Sequence, residues 1–160
     1  MLENIELGYI GMGIGLLGLI VAFMLYKKVN SVKIDNERVA KITAEIQEGA
    51  MSFLKAEYKV LSIFIAVVAV ALAVALGWQT SVAFIIGALA SGLAGFSGMR
   101  AATSANGRTA MAAKEGGQSA ALEVSYNGGA VMGLAVGGLG LIGVSLMYVW
   151  FGQDLDNIQY

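Results

Sequence analysis

Charged residues are absent from three long stretches of the sequence, and these stretches predict where the chain crosses a membrane. Residues 7–26, 60–99 and 124–153 contain no Asp, Glu, Lys or Arg. An α-helix rises 1.5 Å per residue, so a hydrocarbon core of about 30 Å takes roughly 20 residues to cross. The middle stretch is long enough for two crossings joined by a turn at 77–81, with Trp78 at the headgroup level. The pattern predicts an all-α, polytopic transmembrane helix bundle with four spans.

These boundaries place the whole chain, 1–160, in a single membrane domain. The predicted spans cover about residues 7–27, 58–77, 81–104 and 122–151, and the segments 28–57 and 105–121 connect them. A cleavable signal peptide is the alternative interpretation of the first apolar stretch. Glu3 and Glu6 argue against it, because a signal peptide carries basic residues there. The sequence therefore favours a first helix that stays in the membrane.

The basic residues predict the orientation of the chain. All ten lie in or beside the two connecting segments, and the N-terminus, the 77–81 turn and the tail after Trp150 contain none. They are Lys27, Lys28, Lys33, Arg38, Lys41, Lys55, Lys59, Arg100, Arg108 and Lys114. Cytoplasmic loops of membrane proteins are enriched in Lys and Arg. The sequence therefore predicts an integral, multi-pass protein whose N- and C-termini are both extracytoplasmic.

An apolar stripe in the first connecting segment predicts that the second helix extends into the cytoplasm. Its members alternate in steps of three and four, as one face of a helix requires. They are Val39, Ile42, Ile46, Gly49, Phe53, Ala56 and Val60. With Asp35 as N-cap and Glu37 near the positive end of the helix dipole, we expect one helix over about 35–76. The alternative is a helix lying flat on the membrane, but the mixed charges of its polar face favour docking on protein, through residues such as Phe53.

Small residues recur at helical spacing inside the spans and predict packing faces. Helices in lipid associate mainly where small residues let their backbones approach closely. The candidate positions are Gly8, Gly11, Gly15 and Gly18 in the first span, Gly87, Ser91 and Gly95 in the third, and Gly129, Gly133, Gly137 and Gly140 in the fourth. We expect close helix contacts at these positions, Gly133 included. A glycine-lined pore or hinge is the alternative.

Composition and charge exclude several functional classes. Hydrophobic residues make up 58% of the chain, His and Cys are absent, and a net charge of −1 gives no reason to expect nucleic acid as a partner. The charge-free stretches hold no Asp, Glu, Lys or Arg, and Arg100 and Glu123 lie at their edges, where snorkelling satisfies them. A rotary ATPase rotor subunit or a small drug exporter needs a carboxylate in mid-membrane. The lack of one argues against both classes. Glu45 and Glu48 could bind Mg²⁺ weakly, but a solvated helix face is the favoured interpretation.

Two segments carry distinctive motifs. The first is IQEGAMSFLKAEYK, residues 46–59, and the second is GFSGMRAATSANGRT, residues 95–109, followed by GGAVMGL, residues 128–134. In order and spacing they resemble the N-terminal part of membrane-bound, ion-translocating pyrophosphatases. The resemblance extends over about residues 5–150.

The resemblance implies a homodimeric pump that hydrolyses pyrophosphate with Mg²⁺ and moves H⁺ or Na⁺, with a K⁺ requirement left open. It implies that these spans are outer-ring helices with a scaffold role, in contact with the remainder of the pump's helices and the lipid bilayer. The Asp-rich substrate motif of the family has no counterpart in this chain. No catalytic, cofactor-binding or metal-binding residue is therefore assigned, and the 160-residue chain alone is expected to be inactive.

Two other functions stay open on the sequence. A stand-alone four-helix membrane scaffold or partner-binding subunit without catalysis would also need apolar spans free of charge. A small channel or transporter is the third option, and ion flux through the isolated chain in liposomes would indicate it.

Overall fold

The computed structural model describes the backbone of residues 2–151 and side chains from Glu6 onward. It contains three α-helices: α1 over Leu2–Ser31, α2 over Glu37–Ala75 and α3 over Trp78–Phe151. All three are long and apolar enough to cross a membrane. The all-helical, membrane-type architecture therefore agrees with the prediction.

The prediction of four helical spans is wrong, because the described residues form three helices. The expected third and fourth spans both belong to α3, which has 74 residues. The segment 105–121, expected as a connection, is helical on both sides of one non-helical residue, Gly117. Charge marked this segment as a loop, but alanine is frequent in it and proline is absent, so its backbone favours the helix.

Helix α3 turns back on itself at Gly117. This residue has φ 72° and ψ −163°, a conformation that essentially only glycine adopts. We name residues 78–116 the first arm and residues 118–151 the second arm. Contacts between Gly98 and Met132, and between Ala105 and Gly128, show that the arms lie side by side and antiparallel.

The glycine stripe of α1 is a packing face, as predicted, and its partner is the second arm of α3. A Cβ at Gly8 would lie 2.5 Å from the Val149 side chain, and a Cβ at Gly15 would lie 2.7 Å from the carbonyl oxygen of Gly138. Gly11 faces Ser145 in the same contact. Small residues thus let the two backbones approach closely, which increases dispersion contact between them.

For α3, most of the glycines that the sequence predicted as packing positions are not packed. Among the described residues, an added Cβ at Gly87, Gly129, Gly133, Gly137 or Gly140 would meet no atom within 4 Å, whereas one at Gly95 would lie 3.4 Å from the Tyr58 hydroxyl oxygen. The buried positions of the second arm are instead Val124, Gly128, Val131, Ala135, Gly138 and Ser145. The packed face is therefore a neighbouring stripe of the same helix. The sequence did not reveal this, because both stripes are small and apolar and periodicity does not distinguish them.

Helix α2 is one continuous helix, as predicted, but its N-cap is Asn36 and not Asp35. The Asn36 side chain accepts a hydrogen bond from the Val39 backbone nitrogen at 3.1 Å, and Glu37 lies in the first turn as expected. The helix ends at Ala75, and Gly77, with φ 98°, turns the chain into α3 at Trp78. The turn is therefore tighter than the predicted 77–81.

The predicted apolar stripe of α2 does not dock on the described helices. Phe53 is 55% exposed and Val60 is 70% exposed. The packed face carries Thr43, Leu54 and Ala69 instead. Thr43 fits against Gly107 of the first arm. A small residue on each side allows this approach, which the bulkier Phe53 does not.

Candidate functional site

Two buried clusters join α1 to both arms of α3. Ala22 of α1, Ala101 of the first arm and Val131 of the second form one buried cluster. A second cluster lies nearer Gly117 and contains Val29, Ala105, Ala112 and Val124. These residues form a core shared by α1 and the two arms, and α2 packs on the first arm.

A polar network lies beside this core, where α1 ends. The Ser104 hydroxyl donates to Asn30 Oδ1 at 2.6 Å, and Asn30 Nδ2 donates to the Tyr26 carbonyl at 2.9 Å. Arg108 Nη1 donates to both the carbonyl and the hydroxyl of Ser104, each at 2.8 Å. The network joins residues that are 74 positions apart in the chain, so the first arm is held in register with α1.

Arg108 also stabilises the C-terminal end of α1. Its Nε donates to the Val32 carbonyl oxygen at 3.1 Å. Carbonyl groups at a helix C-terminus lack intrahelical partners and carry partial negative charge, so a guanidinium there is favourable. All three oxygen groups that Arg108 contacts in this way are neutral, and no carboxylate of the described residues forms an ion pair with it.

A cavity of about 480 Å³ opens next to this network, between α1, α2 and the first arm. Six of its lining side chains are polar: Asn30, Gln47, Arg100, Thr103, Ser104 and Arg108. Tyr26 and Met51 complete the wall. Both distinctive motifs contribute, since Gln47 and Met51 belong to the first and the four residues of the first arm belong to the second.

Two further polar contacts join the surrounding helices. Lys28 of α1 forms an ion pair with Glu123 of the second arm, at 2.7 Å. The Tyr58 hydroxyl of α2 donates to the Gly92 carbonyl of the first arm. Glu123 was expected to be satisfied by snorkelling, and the structure adds a partner from α1.

Sequence reasoning missed the polar cavity. Arg100 was interpreted as a snorkelling residue, Arg108 as a topogenic charge, and Asn30 and Ser104 were not singled out. The available signal was that Asn30 and Ser104 are uncharged polar residues close to the ends of charge-free stretches. The described residues contain no cluster of three Asp, Glu, His or Cys side chains that could hold a metal ion. The absence of catalytic, cofactor-binding and metal-binding residues stays a prediction.

Comparison with known proteins extends the motif resemblance to nearly the whole chain. The family described as inorganic H⁺ pyrophosphatase matches residues 16–160. A relative from Clostridium tetani is 48% identical over 144 residues, which cover 90% of this chain and 21% of that protein. A K⁺-stimulated pyrophosphate-energised sodium pump from Thermotoga maritima is 44% identical over 126 residues, covering 76% of this chain and 17% of that protein.

Proton pumps are among the relatives as well. A K⁺-insensitive pyrophosphate-energised proton pump from Methanosarcina mazei is 35% identical over 146 residues, which cover 90% of this chain and 22% of that protein. The chain thus spans about a fifth of the length of these relatives.

Proposed function

Since the chain belongs to the inorganic H⁺ pyrophosphatase family, we propose that it is the N-terminal scaffold part of a membrane pump that couples pyrophosphate hydrolysis to H⁺ or Na⁺ transport. It is an integral, multi-pass membrane protein of a family whose members are enzymes. The scaffold role, the substrate and the transported ion are the proposal.

One observation carries the scaffold role: the chain packs one set of small-residue faces and leaves another open. The stripe on α1 is occupied, whereas a Cβ at Gly129, Gly133 or Gly137 of the second arm would meet no described residue within 4 Å. On α2, Val67 and Val74 are 64% and 84% exposed. Open small-residue faces on membrane helices suit close helix–helix contacts. We assign them to the remainder of the pump's helices, with lipid covering the other exposed apolar side chains.

The metal that the resemblance implies finds no fitting site in the described residues. Mg²⁺ needs several oxygen ligands, usually carboxylates and substrate phosphates. Glu45 and Glu48 are both exposed and belong to no cluster that could hold a metal. We therefore assign pyrophosphate, Mg²⁺ and any K⁺ to the remainder of the pump, and no step of hydrolysis to this chain.

The proposed orientation places both termini outside the cytoplasm. The contacts of Lys28 with Glu123 and of Arg108 with Val32 bring the two basic segments to the same end of the bundle. One basic end is what the positive-inside rule requires of a cytoplasmic face. Because the chain lacks cysteine, single Cys substitutions at Glu3 and at Lys114 can be probed with a membrane-impermeant maleimide. Labelling of intact cells at Lys114 and not at Glu3 would refute the orientation.

A complementation assay tests the function. The Clostridium tetani relative, truncated to remove its matching segment, is produced with and without this chain, and Mg²⁺-dependent pyrophosphate hydrolysis is measured in membranes. We expect activity only when both parts are present, and none from this chain alone. Turnover by this chain alone would overturn the assignment of hydrolysis to the remainder of the pump. Full activity of the truncated relative alone would overturn the scaffold role. Association with the relative without recovered activity would favour a partner-binding scaffold outside catalysis.

A further inference from the structure

The cavity between α1, α2 and the first arm has an unbalanced positive charge. Of the residues that the structure describes, two arginines, Arg100 and Arg108, line it, and no Asp or Glu does. The other polar side chains of its wall are neutral. We propose that this cavity binds one anionic phosphate group, carried either by a lipid headgroup or by free phosphate. The test of this proposal needs no pump activity.

Arg108 presents a fixed donor to the cavity. A guanidinium has five N–H donors. Three of them are used by the Val32 carbonyl, the Ser104 carbonyl and the Ser104 hydroxyl. These bonds orient the guanidinium and leave its Nη2 group without a protein acceptor among the described residues. Since all the acceptors are neutral, the charge of Arg108 is not compensated, and a phosphate oxygen would form a charge-assisted hydrogen bond with it.

Arg100 and Gln47 supply further donors from two different helices. Arg100 precedes Arg108 by eight residues on the first arm, about two helical turns. Its side chain is exposed and forms no ion pair with the described acidic residues. Gln47 of α2 lines the same cavity, and its amide nitrogen can donate to an anion. Donors from opposite walls of the cavity can surround an oxyanion. The hydrogen bonds between Asn30, Ser104 and Arg108 form without Arg100 or Gln47, so these two donors remain available to a ligand.

The position of the cavity suits a headgroup phosphate. Tyr26, in its wall, is the last residue of the charge-free stretch 7–26, and Lys27 follows it directly. The cavity therefore lies where apolar helix surface gives way to charged surface, the level at which aromatic residues and lipid headgroups meet. Basic pockets between transmembrane helices are a known type of site for anionic headgroups.

A purely structural role for Arg108, as a cap of α1, is the competing explanation. It would explain the contacts with Val32 and Ser104 and require no ligand. Arg100 and Gln47 take no part in those contacts, so variants at these two positions separate the explanations. Arg108→Gln is unsuitable as the main variant, because loss of the cap can unfold the end of α1.

The experiment compares wild-type chain with Arg100→Gln, Gln47→Glu and the control Arg38→Gln. Arg38 is exposed and lies outside the cavity, and its replacement removes the same charge as Arg100→Gln. Inorganic phosphate is titrated by calorimetry into phosphate-free, lipid-free detergent solutions at constant ionic strength. Retained phosphatidylglycerol is counted in parallel by native mass spectrometry, and circular dichroism verifies equal helix content.

We expect phosphate or phosphatidylglycerol to bind the wild type and the control equally. Loss of a charge-assisted hydrogen bond weakens binding by about tenfold or more, so both cavity variants should bind at least that much more weakly. Gln47→Glu should be the weaker of the two, because its carboxylate competes with the anion for the arginines. Binding of phosphate alone identifies a free anion, and binding of the lipid alone identifies a headgroup. Absence of both from the wild type, or equal binding by all four proteins, would overturn the proposal.

Discussion

Gly15 of α1 and Gly138 of the second arm face each other where the backbones of the two helices are in contact. A Cβ on Gly15 would lie 2.7 Å from the Gly138 carbonyl oxygen, and a Cβ on Gly138 would lie 2.8 Å from the Gly15 carbonyl oxygen. Neither backbone can take a side chain without moving the other helix. This reciprocal contact explains why α1 carries its glycines on one stripe.

Gly138→Ala should therefore destabilise the chain, whereas Gly137→Ala should not. Overpacking of a tight contact typically removes about 1–3 kcal/mol of stability. At Gly137 a Cβ meets nothing within 4 Å, and alanine there gains about 0.5–1 kcal/mol of helix stability over glycine. Thermal unfolding in detergent, followed by circular dichroism, compares the stability of the two variants. Equal transition temperatures would contradict the assigned packing face.

The bend of α3 should depend on Gly117. Its φ of 72° and ψ of −163° are strained for any residue with a Cβ, so Gly117→Ala should lower stability by about 1–3 kcal/mol. The adjacent, exposed Gln118→Ala is the control. Spin labels at Ser91 and Gly140 report the distance between the arms. A Gly117→Ala chain with wild-type stability and an unchanged distance distribution would show that the bend tolerates a side chain.

Tyr58→Phe should weaken the attachment of α2 to the first arm. It removes the hydrogen bond from the Tyr58 hydroxyl to the Gly92 carbonyl, a contribution of about 0.5–1.5 kcal/mol. Tyr126→Phe makes the same chemical change at a side chain that is 77% exposed, so it should be neutral. Hydrogen exchange at residues 54–62 measures the attachment. Faster exchange in both variants, or in neither, would argue against this bond.

Two adjacent residues test which face of α2 is packed. Leu54 is 8% exposed and Phe53 is 55% exposed. Leu54→Asp buries an unpaired carboxylate and should destabilise the chain by at least about 3 kcal/mol. Phe53→Asp should leave the isolated chain as stable as wild type, because the side chain is exposed. It should reduce recovered activity in the complementation assay if, as we propose, this face contacts the remaining helices of the pump. Destabilisation of the isolated chain by Phe53→Asp would restore the stripe that the sequence pattern suggested.

The sequence alone accounts for the apolar helices and for the positions along the chain at which charged residues begin. Ionised side chains are excluded from hydrocarbon, so the charge-free stretches located α1, the apolar half of α2 and both arms. Helix capping and periodicity located the start of α2 within one or two residues. The motif resemblance identified the family, because short motifs can be recognised in the sequence without knowing how the helices pack.

Tertiary structure decided which small-residue stripes pack, where α3 bends and which polar groups meet. Gly133 and Gly138 are both glycines in one apolar helix, and only the position of α1 distinguishes them. Asn30, Ser104 and Arg108 become neighbours because α1 and the first arm are packed side by side, not because of any spacing in the chain. Local sequence specifies backbone preference and polarity. Contacts between helices depend on which surfaces fit together, and several surfaces of this chain are nearly equal in size and polarity.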